Sequence, residues 1–550
     1  MAGPAWDVVL PSGMSRRSFL RLVGGSVGWS LAGSVIGTQR TTAGAASREL
    51  SLLVGTQLTM KSLDPGRTIE ASAYTLNHAT YDSLVTFSGE DLRNPKPSLA
   101  MSWSVSADGR AYTFKLRPNV KFVSGNPLTS ADVKWSLDRV INLNSTTKFL
   151  VDGIAEVLAP DPQTVVIHLK TLQPSIIPIL SSSSLGVLDS KVVIANGGDA
   201  GPDAKTKDQA EPYLNSHSPG TGAFILTSYA PNQEVVLMKN PAHWRGAAKI
   251  DRIVTRNIEE PAAEQLQLGR GDLDVATGIG PDQLQALKGV QGVGVKTSLI
   301  ANTFYVLMNN NPTIGGPFSN RKVQQAVRYA LDYDGIMRIA GLGAVRLAGV
   351  IPTLFPGSLD SKDAVKTDRV KARALLKEAN LGEVRGRITY RAGGSSWGVQ
   401  LDLLVQKIQT DLVEVGMKVD LNGLASLTAL QEYRDGKNQI GVWGWTADWP
   451  DASNFLVYVP GGVVGKRAGW PADATPDAAA LAKLGQEAES EVDNRKRAAL
   501  YQQVDRRLME IGPYVPLFQP AVPYAFRSNV SGVTFNSVWG PDLYAISKTG

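Results

Sequence analysis

The chain of 550 residues contains no cysteine, four histidines and no long uninterrupted apolar run. The absence of cysteine excludes a disulfide framework, a thiolate metal cluster and a cysteine nucleophile. It also excludes lipid attachment at an N-terminal cysteine. His78, His168, His217 and His243 show no paired metal-ligand spacing, so we expect no metal and no cofactor. The most apolar later stretch, residues 172–188, is interrupted by two prolines and by four consecutive serines, and we do not expect it to span a membrane.

The chain also lacks a strong excess of charge of one sign. It has 56 lysines and arginines against 50 acidic residues, a net charge of +6. Residues 1–45 hold four arginines and one aspartate, so the rest carries 52 basic and 49 acidic residues, a net charge of +3. This near neutrality gives no reason to expect nucleic acid as a partner. The length suggests two to four domains.

The first 45 residues have the layout of an export signal. Residues 15–21 read Ser-Arg-Arg-Ser-Phe-Leu-Arg, an uncharged stretch follows over residues 22–39, and Ala-Gly-Ala closes the segment at residues 43–45. A basic front, an apolar middle and a small-residue cleavage site are typical of a signal peptide, and the paired arginines resemble the twin-arginine signal. We therefore predict a twin-arginine signal peptide over residues 1–45 and a soluble protein exported to the periplasm. A transmembrane helix or a basic tail is the alternative.

The remaining chain mixes strand and helix patterns, which predicts the α/β class. Short alternating or β-branched runs predict strands, and apolar residues at helical spacing predict helices. The predicted strands are residues 51–55, 111–116 and 164–169, with a hairpin turn at residues 107–109. The predicted helices are residues 130–142, 320–339, 370–379, 398–415 and 494–511. Residues 196–215 are rich in Gly, Asp, Lys and Pro, which predicts a solvated surface loop.

One segment matches an enzyme motif. Gly394-Ser-Ser-Trp-Gly398 fits the G-x-S-x-G pattern of a serine hydrolase, with Ser396 as the nucleophile. Such an enzyme needs a histidine after the serine, and no histidine follows His243. The motif therefore favours a Gly/Ser turn, and an exported serine hydrolase using Ser396 is kept as a remote alternative. We expect that the protein is not an enzyme.

Several segments together resemble a known family. They include Pro97-Ser-Leu-Ala-Met-Ser-Trp, Ser218-Pro-Gly-Thr-Gly-Ala-Phe, and Gly444-Trp-Thr-Ala-Asp-Trp-Pro. Further matching segments are residues 111–117, 127–139, 240–244, 317–332, 497–501 and 513–517. In this order they resemble the extracytoplasmic solute-binding proteins of family 5, the peptide-, oligopeptide- and nickel-binding components of ABC importers.

The resemblance implies a two-lobed periplasmic binding protein fold of the cluster C type, with an extra subdomain in the first lobe. Lobe I would comprise residues 46–91, 214–308 and 517–550, with the small subdomain at residues 92–213. Lobe II would comprise residues 309–516. The family's proteins are monomers by default, close around a solute and deliver it to the permease subunits of an ABC transporter.

The resemblance also implies ligand-binding residues. In peptide-binding members, the aspartate of the segment matching Gly444–Asp448 pairs with the free amino terminus of the ligand. Here that residue is Asp448, with Trp445 as an apolar wall and Thr446 offering main-chain groups. Arg391 is the candidate partner of a ligand carboxylate. One alternative is that Asp448 caps the turn before Pro450. A separate alternative is that the solute is an opine, an oligosaccharide or a metal chelate.

Overall fold

The computed structural model describes residues 49–549. The predicted export segment, residues 1–45, lies outside this range. Across residues 49–549, no helix combines the length and the apolar character that crossing a membrane requires.

The first large sheet has seven strands. Their spatial order is Val293–Leu299, Ala521–Arg527, Val275–Ala276, Ser51–Thr56, Arg252–Asn257, Glu234–Lys239 and Phe224–Ala230. The predicted strand at residue 51 is confirmed, and it pairs in parallel with Arg252–Asn257. Alternate side chains of a strand face opposite sides of the sheet, so Leu52 and Val54 enter the same apolar core. Helices Ala71–Thr80, Pro261–Arg270 and Pro281–Leu287 accompany this sheet.

The second large sheet has six strands. Their order is Val345–Arg346, Tyr514–Gln519, Asn302–Met308, Ile440–Thr446, Arg385–Arg391 and Lys418–Leu424. The inner strand Asn302–Met308 is buried along its whole length, and its side chains alternate between two cores. Phe304 enters one core and Tyr305 enters the other. A strand covered on both faces has an almost continuous apolar sequence. The larger helices around this sheet are Arg321–Ala330, Tyr333–Ala340, Arg369–Ala379, Leu401–Glu414, Ser426–Arg434, Pro476–Ser490 and Asn494–Ile511.

The chain crosses between the two large sheets at two adjacent points. Ile300 and Ala301 lead from the first sheet to the second, and Pro520 leads back. The Ile300 amide donates to the Pro520 carbonyl at 3.0 Å, and Nε2 of Gln519 donates to the Ile300 carbonyl at 3.0 Å. The second sheet therefore starts before residue 309 and ends after residue 516. The division into lobes stays a prediction, in which each large sheet marks one lobe.

A separate four-stranded antiparallel sheet lies within residues 100–169. Its order is Ala100–Val105, Ala111–Leu116, Thr164–Leu169 and Ile154–Asp161. The predicted strands at residues 111–116 and 164–169 are confirmed, as is the hairpin turn at residues 107–109. The sheet shares its own apolar core with helix Ser130–Leu143.

The predicted helices are present, but two have different bounds. Residues 320–339 form two helices, because Asp332 accepts from the Gly335 amide at 3.0 Å and begins a new helix at Tyr333. The helix predicted from residue 398 begins at Leu401, because a two-stranded hairpin occupies the residues before it.

The prediction of a solvated loop over residues 196–215 is wrong in part. The segment contains helices Ala204–Lys207 and Glu211–Leu214, and Asp208 between them is buried. Asp208 is held by Arg139, a residue distant in sequence, and local composition does not reveal such a contact.

Short elements complete the described chain. The short strands are Val85–Ser88, Asp91–Pro97, Ser395–Ser396, Val399–Gln400, Val530–Ser531, Phe535–Asn536, Gly540–Pro541 and Ser547–Lys548. The short α-helices are Ile176–Ile179, Ser190–Ala195, Pro312–Gly315 and Val463–Arg467. The 3₁₀ helices are Pro65–Arg67, Lys148–Leu150, Ser183–Leu185, Gly316–Ser319, Ser361–Asp363 and Ala452–Tyr458.

Candidate ligand-binding site

A cavity of about 1020 Å³ is lined by elements of both large sheets. The first sheet and its helices contribute residues within 54–76, 255–283 and 522–523, and the second contributes residues within 338–341, 395–403 and 446–448. Residues 535–543 complete the wall. This volume lies at the upper end of the range for small-molecule sites.

Asp448 lies in the wall of this cavity. It follows strand Ile440–Thr446, whose antiparallel pairing with Asn302–Met308 fixes its position. Burial raises the pKa of Asp448 to about 6, and a hydrogen bond from Asn454 at 3.4 Å opposes part of that rise. No basic side chain among residues 49–549 pairs with this carboxylate. A half-buried carboxylate without a cation is costly, and a cationic group placed beside it would offset that cost.

Trp445 lies behind Asp448 and is not among the lining residues of the large cavity. Its indole Nε1 donates to Oδ1 of Asn454 at 2.8 Å, and its ring packs against an apolar core. Asn454 thus links Trp445 to Asp448. Trp445 as an apolar wall of the site stays a prediction. Asn454, which bonds both side chains, was not selected from the sequence.

Arg391 lines a second, smaller cavity of about 210 Å³. Burial lowers the pKa of the Arg391 guanidinium, and no carboxylate in the described part of the chain offsets this effect. Arg391 and Asp448 therefore line different cavities. The two cavities share Trp397 and Thr446 in their walls, so the two charges lie in neighbouring chambers.

Trp397 stands at this junction in a constrained backbone conformation. Ser395–Ser396 pairs with Val399–Gln400, and the two residues between them, Trp397 and Gly398, have φ of 52° and 79°. Two positive φ values are typical of the tight turns that fit a hairpin. The turn interpretation of the Gly394–Gly398 segment is thereby supported.

Ser396 lies in this hairpin and lines the smaller cavity. All four histidines fall within the described residues, and none hydrogen-bonds Ser396. His78 stacks on Trp539, His217 stacks on Tyr213, and His243 contacts the Gly246 carbonyl. Among the described residues, the hydrolase hypothesis therefore has no histidine hydrogen-bonded to its nucleophile.

Two further residues of the site were missed by the sequence analysis. Tyr74, on helix Ala71–Thr80, lines the large cavity. Burial raises its pKa to about 12, and the negative charge of Asp448 contributes to that rise. Asn302 lines the smaller cavity, and its Nδ2 donates to Oγ1 of Thr446 at 2.7 Å. The sequence signal for Asn302 was an amide side chain at the start of a largely apolar strand.

The pattern described as bacterial extracellular solute-binding proteins, family 5 Middle, matches residues 94–464. The chain belongs to this family. The probable D,D-dipeptide-binding periplasmic protein DdpA of Escherichia coli (strain K12) is 26% identical over 511 residues, which cover 91% of this chain and 95% of that protein. Di/tripeptide-binding protein 2 of Pseudomonas aeruginosa (strain UCBPP-PA14) is 27% identical over 526 residues, covering 90% and 94% of the two chains.

Solved structures agree with this family 5 assignment at the level of the fold. The structure of HbpA2 from Haemophilus parasuis superimposes with a TM-score of 0.78 at 22% identity, covering 91% of this chain and 100% of that one. This family 5 protein therefore has the two-lobed α/β fold of the periplasmic binding proteins, as the resemblance implied.

Proposed function

We propose that this family 5 protein captures a peptide or a peptide-like solute between its lobes and delivers it to an ABC importer. In this proposal it is exported by its twin-arginine signal, works in the periplasm as a monomer and is recognised by the permease subunits when it holds its ligand. The observation that carries the peptide assignment is Asp448, a half-buried carboxylate in the cavity wall with no basic partner among the described residues.

Asp448 binds the ligand's amino terminus. An ammonium group placed against it compensates the charge and lowers the cost of its burial. Thr446, two residues earlier, lines both cavities and offers main-chain groups beside the same ligand segment. The named specificities of the two relatives, a D,D-dipeptide and di- or tripeptides, support a ligand with a free amino terminus.

Arg391 binds the ligand's carboxylate. Guanidinium groups suit carboxylates because their N–H donors match both oxygens. Its chamber adjoins the large cavity at Trp397 and Thr446. A zwitterion extending from Asp448 past this junction brings an opposite charge to each unpaired group.

Calorimetric titration of residues 46–550 tests the proposal. The ligands are dipeptides and tripeptides with free termini, the same peptides acetylated at the amino terminus, and opines and oligosaccharides. We expect free-amine peptides to bind and acetylation to abolish binding, because an acetylated nitrogen carries no charge. Binding of opines or sugars alone would contradict the peptide assignment and leave the transport role standing.

A matched pair of variants assigns the effect to one carboxylate. Asp448→Asn should lose the free-amine peptides. Asp473→Asn removes an exposed carboxylate outside both cavities, and it should bind as the parent protein does. Equal affinities for the two variants would remove Asp448 from the site.

A further inference from the structure

Asn302 holds a buried acceptor that no group in the described structure satisfies. The residue is 2% exposed, and its Nδ2 donates a hydrogen bond to Oγ1 of Thr446 at 2.7 Å. Its Oδ1 is buried and has no hydrogen-bond partner among residues 49–549. Buried polar atoms in folded proteins almost always have a partner, so this oxygen marks a place for a donor from outside the chain.

The smaller cavity that Asn302 lines has mixed walls, to which Ser396, Tyr433 and Thr446 contribute hydroxyl groups. Its remaining walls include the side chains of Phe304, Leu401, Leu430, Val442 and Trp443. Arg391 is the one cationic side chain that lines it. A ligand complementary to this cavity therefore carries both a hydrogen-bond donor for Asn302 and an anionic group for Arg391.

We propose that Asn302 determines specificity by accepting the N–H of the ligand's last peptide bond, while Arg391 binds the carboxylate that follows it. In an α-peptide, both groups are attached to one α-carbon, so a single terminal residue presents the donor and the anion together. A chamber of about 210 Å³ suits one such residue. This inference rests on the proposed function and adds that the site recognises the peptide bond as well as the charged ends.

The test compares a peptide with its ester analogue in the parent protein. Alanyl-alanine is used as the L,L and the D,D stereoisomer, each beside alanyl-lactate of the same configuration, in which oxygen replaces the peptide N–H. We expect the better-bound dipeptide to bind about 10- to 100-fold more tightly than its ester, since the ester leaves Oδ1 of Asn302 unsatisfied. This comparison needs no mutation.

Variants then assign the preference to one side chain. Asn302→Ala should reduce the preference for the amide to less than about threefold, because the acceptor is gone. Thr446→Val, which removes the hydrogen bond that orients the Asn302 amide, should reduce it in part and serves if the first variant does not fold. Asn422→Ala is the matched control, since Asn422 forms a similar bond to Oγ1 of Thr389 at 3.2 Å in the same sheet but lines neither cavity.

The outcomes separate this inference from the proposal beneath it. If the parent protein binds amide and ester equally, while acetylation still abolishes binding, the role of Asn302 is overturned and the peptide assignment stands. If the preference is present but survives Asn302→Ala, another group reads the peptide bond and the inference is again overturned. If neither these dipeptides nor the tripeptides with free termini bind, the inference and the peptide assignment fail together.

Discussion

Two regions of this protein bury charge in opposite ways. Beneath the four-stranded sheet, the Arg139 guanidinium bonds the carboxylates of Asp64 and Asp208 at 2.7 to 2.9 Å, and all three side chains are fully buried. At the ligand site, Asp448 and Arg391 are each desolvated, and neither has an opposite charge beside it in the described structure.

The two sets of buried charges differ in whether the chain itself supplies the opposite charge. Burial alone would lower the pKa of Arg139, but Asp64 and Asp208 raise it above its usual value, so this triad is satisfied within the chain. Burial acts on Asp448 and Arg391 without that compensation, and it shifts each pKa toward the neutral form. The paired buried charges are compensated within the fold, whereas the unpaired charges at the cavities support the proposal of a ligand that brings their partners.

Breaking the triad gives the largest expected effect. Arg139→Met removes the buried cation and leaves Asp64 and Asp208 only Arg67, which bonds them at 3.2 and 2.9 Å from a more exposed position. We expect a loss near the lower end of about 3–5 kcal/mol in the free energy of unfolding, or no folded protein. Urea denaturation measures it. Adding Asp64→Asn and Asp208→Asn to the same variant should restore part of the loss. A loss below about 1 kcal/mol for Arg139→Met would show that the triad contributes little.

Removing the site's negative charge should change stability in the opposite direction. The folded pKa of Asp448, about 6, lies above its ordinary value of 3.8, so the folded state retains its proton longer. The contribution of Asp448 to stability therefore falls as pH rises between about 4 and 6 and is constant above that window. Asp448→Asn should gain about 2–3 kcal/mol at pH 7 in the absence of ligand.

That gain should vanish below about pH 4, where Asp448 is protonated in both states. Thermal unfolding of the ligand-free protein across pH 3–8 measures it. A destabilised Asp448→Asn variant at pH 7 would contradict the interpretation, and would favour the alternative in which Asp448 caps the turn before Pro450.

Removing the site's positive charge should affect binding more than folding. Arg391→Met should weaken peptides with a free carboxylate about 10- to 100-fold, the range for a lost hydrogen bond to a charged group. Peptides with an amidated carboxyl end should be unaffected. Titration calorimetry with both ligand forms measures the difference, and an equal loss for both would place Arg391 outside the carboxylate site.

The smallest effect is expected from an exposed pair near the triad. Lys207 bonds Asp203 at 2.9 Å, but both side chains are more than 60% exposed. Surface ion pairs of this kind contribute little, because water screens them and long side chains lose freedom. Lys207→Met should therefore leave the urea midpoint unchanged within error. A clear shift of the urea midpoint would show that this exposed ion pair also contributes to the stability of the protein.

The sequence allowed more of the fold to be predicted than of the site. Regular patterns predicted the strands at residues 51–55, 111–116 and 164–169, because alternation within a few residues decides a strand. Asp448 and Arg391 were selected through the family resemblance, and both line cavities.

Asn302, Tyr74 and Asn454 were not selected. Tyr74 is hundreds of residues from Asp448 in sequence, and only the folded chain brings them close. The burial of Asp208 escaped notice for the same reason, since its partner Arg139 lies in another segment. Local patterns report on a residue's own element, whereas these contacts depend on how distant elements pack.

The paired crossings at Ile300–Ala301 and Pro520 have a mechanical consequence. Because they are short and bonded to each other, they form one double connection between the two large sheets, and a rotation of the proposed lobes would turn about this line. Pro520 adds stiffness, since its ring fixes one backbone angle. A closure that turned about this connection would bring the same two faces together in every cycle of the proposed capture.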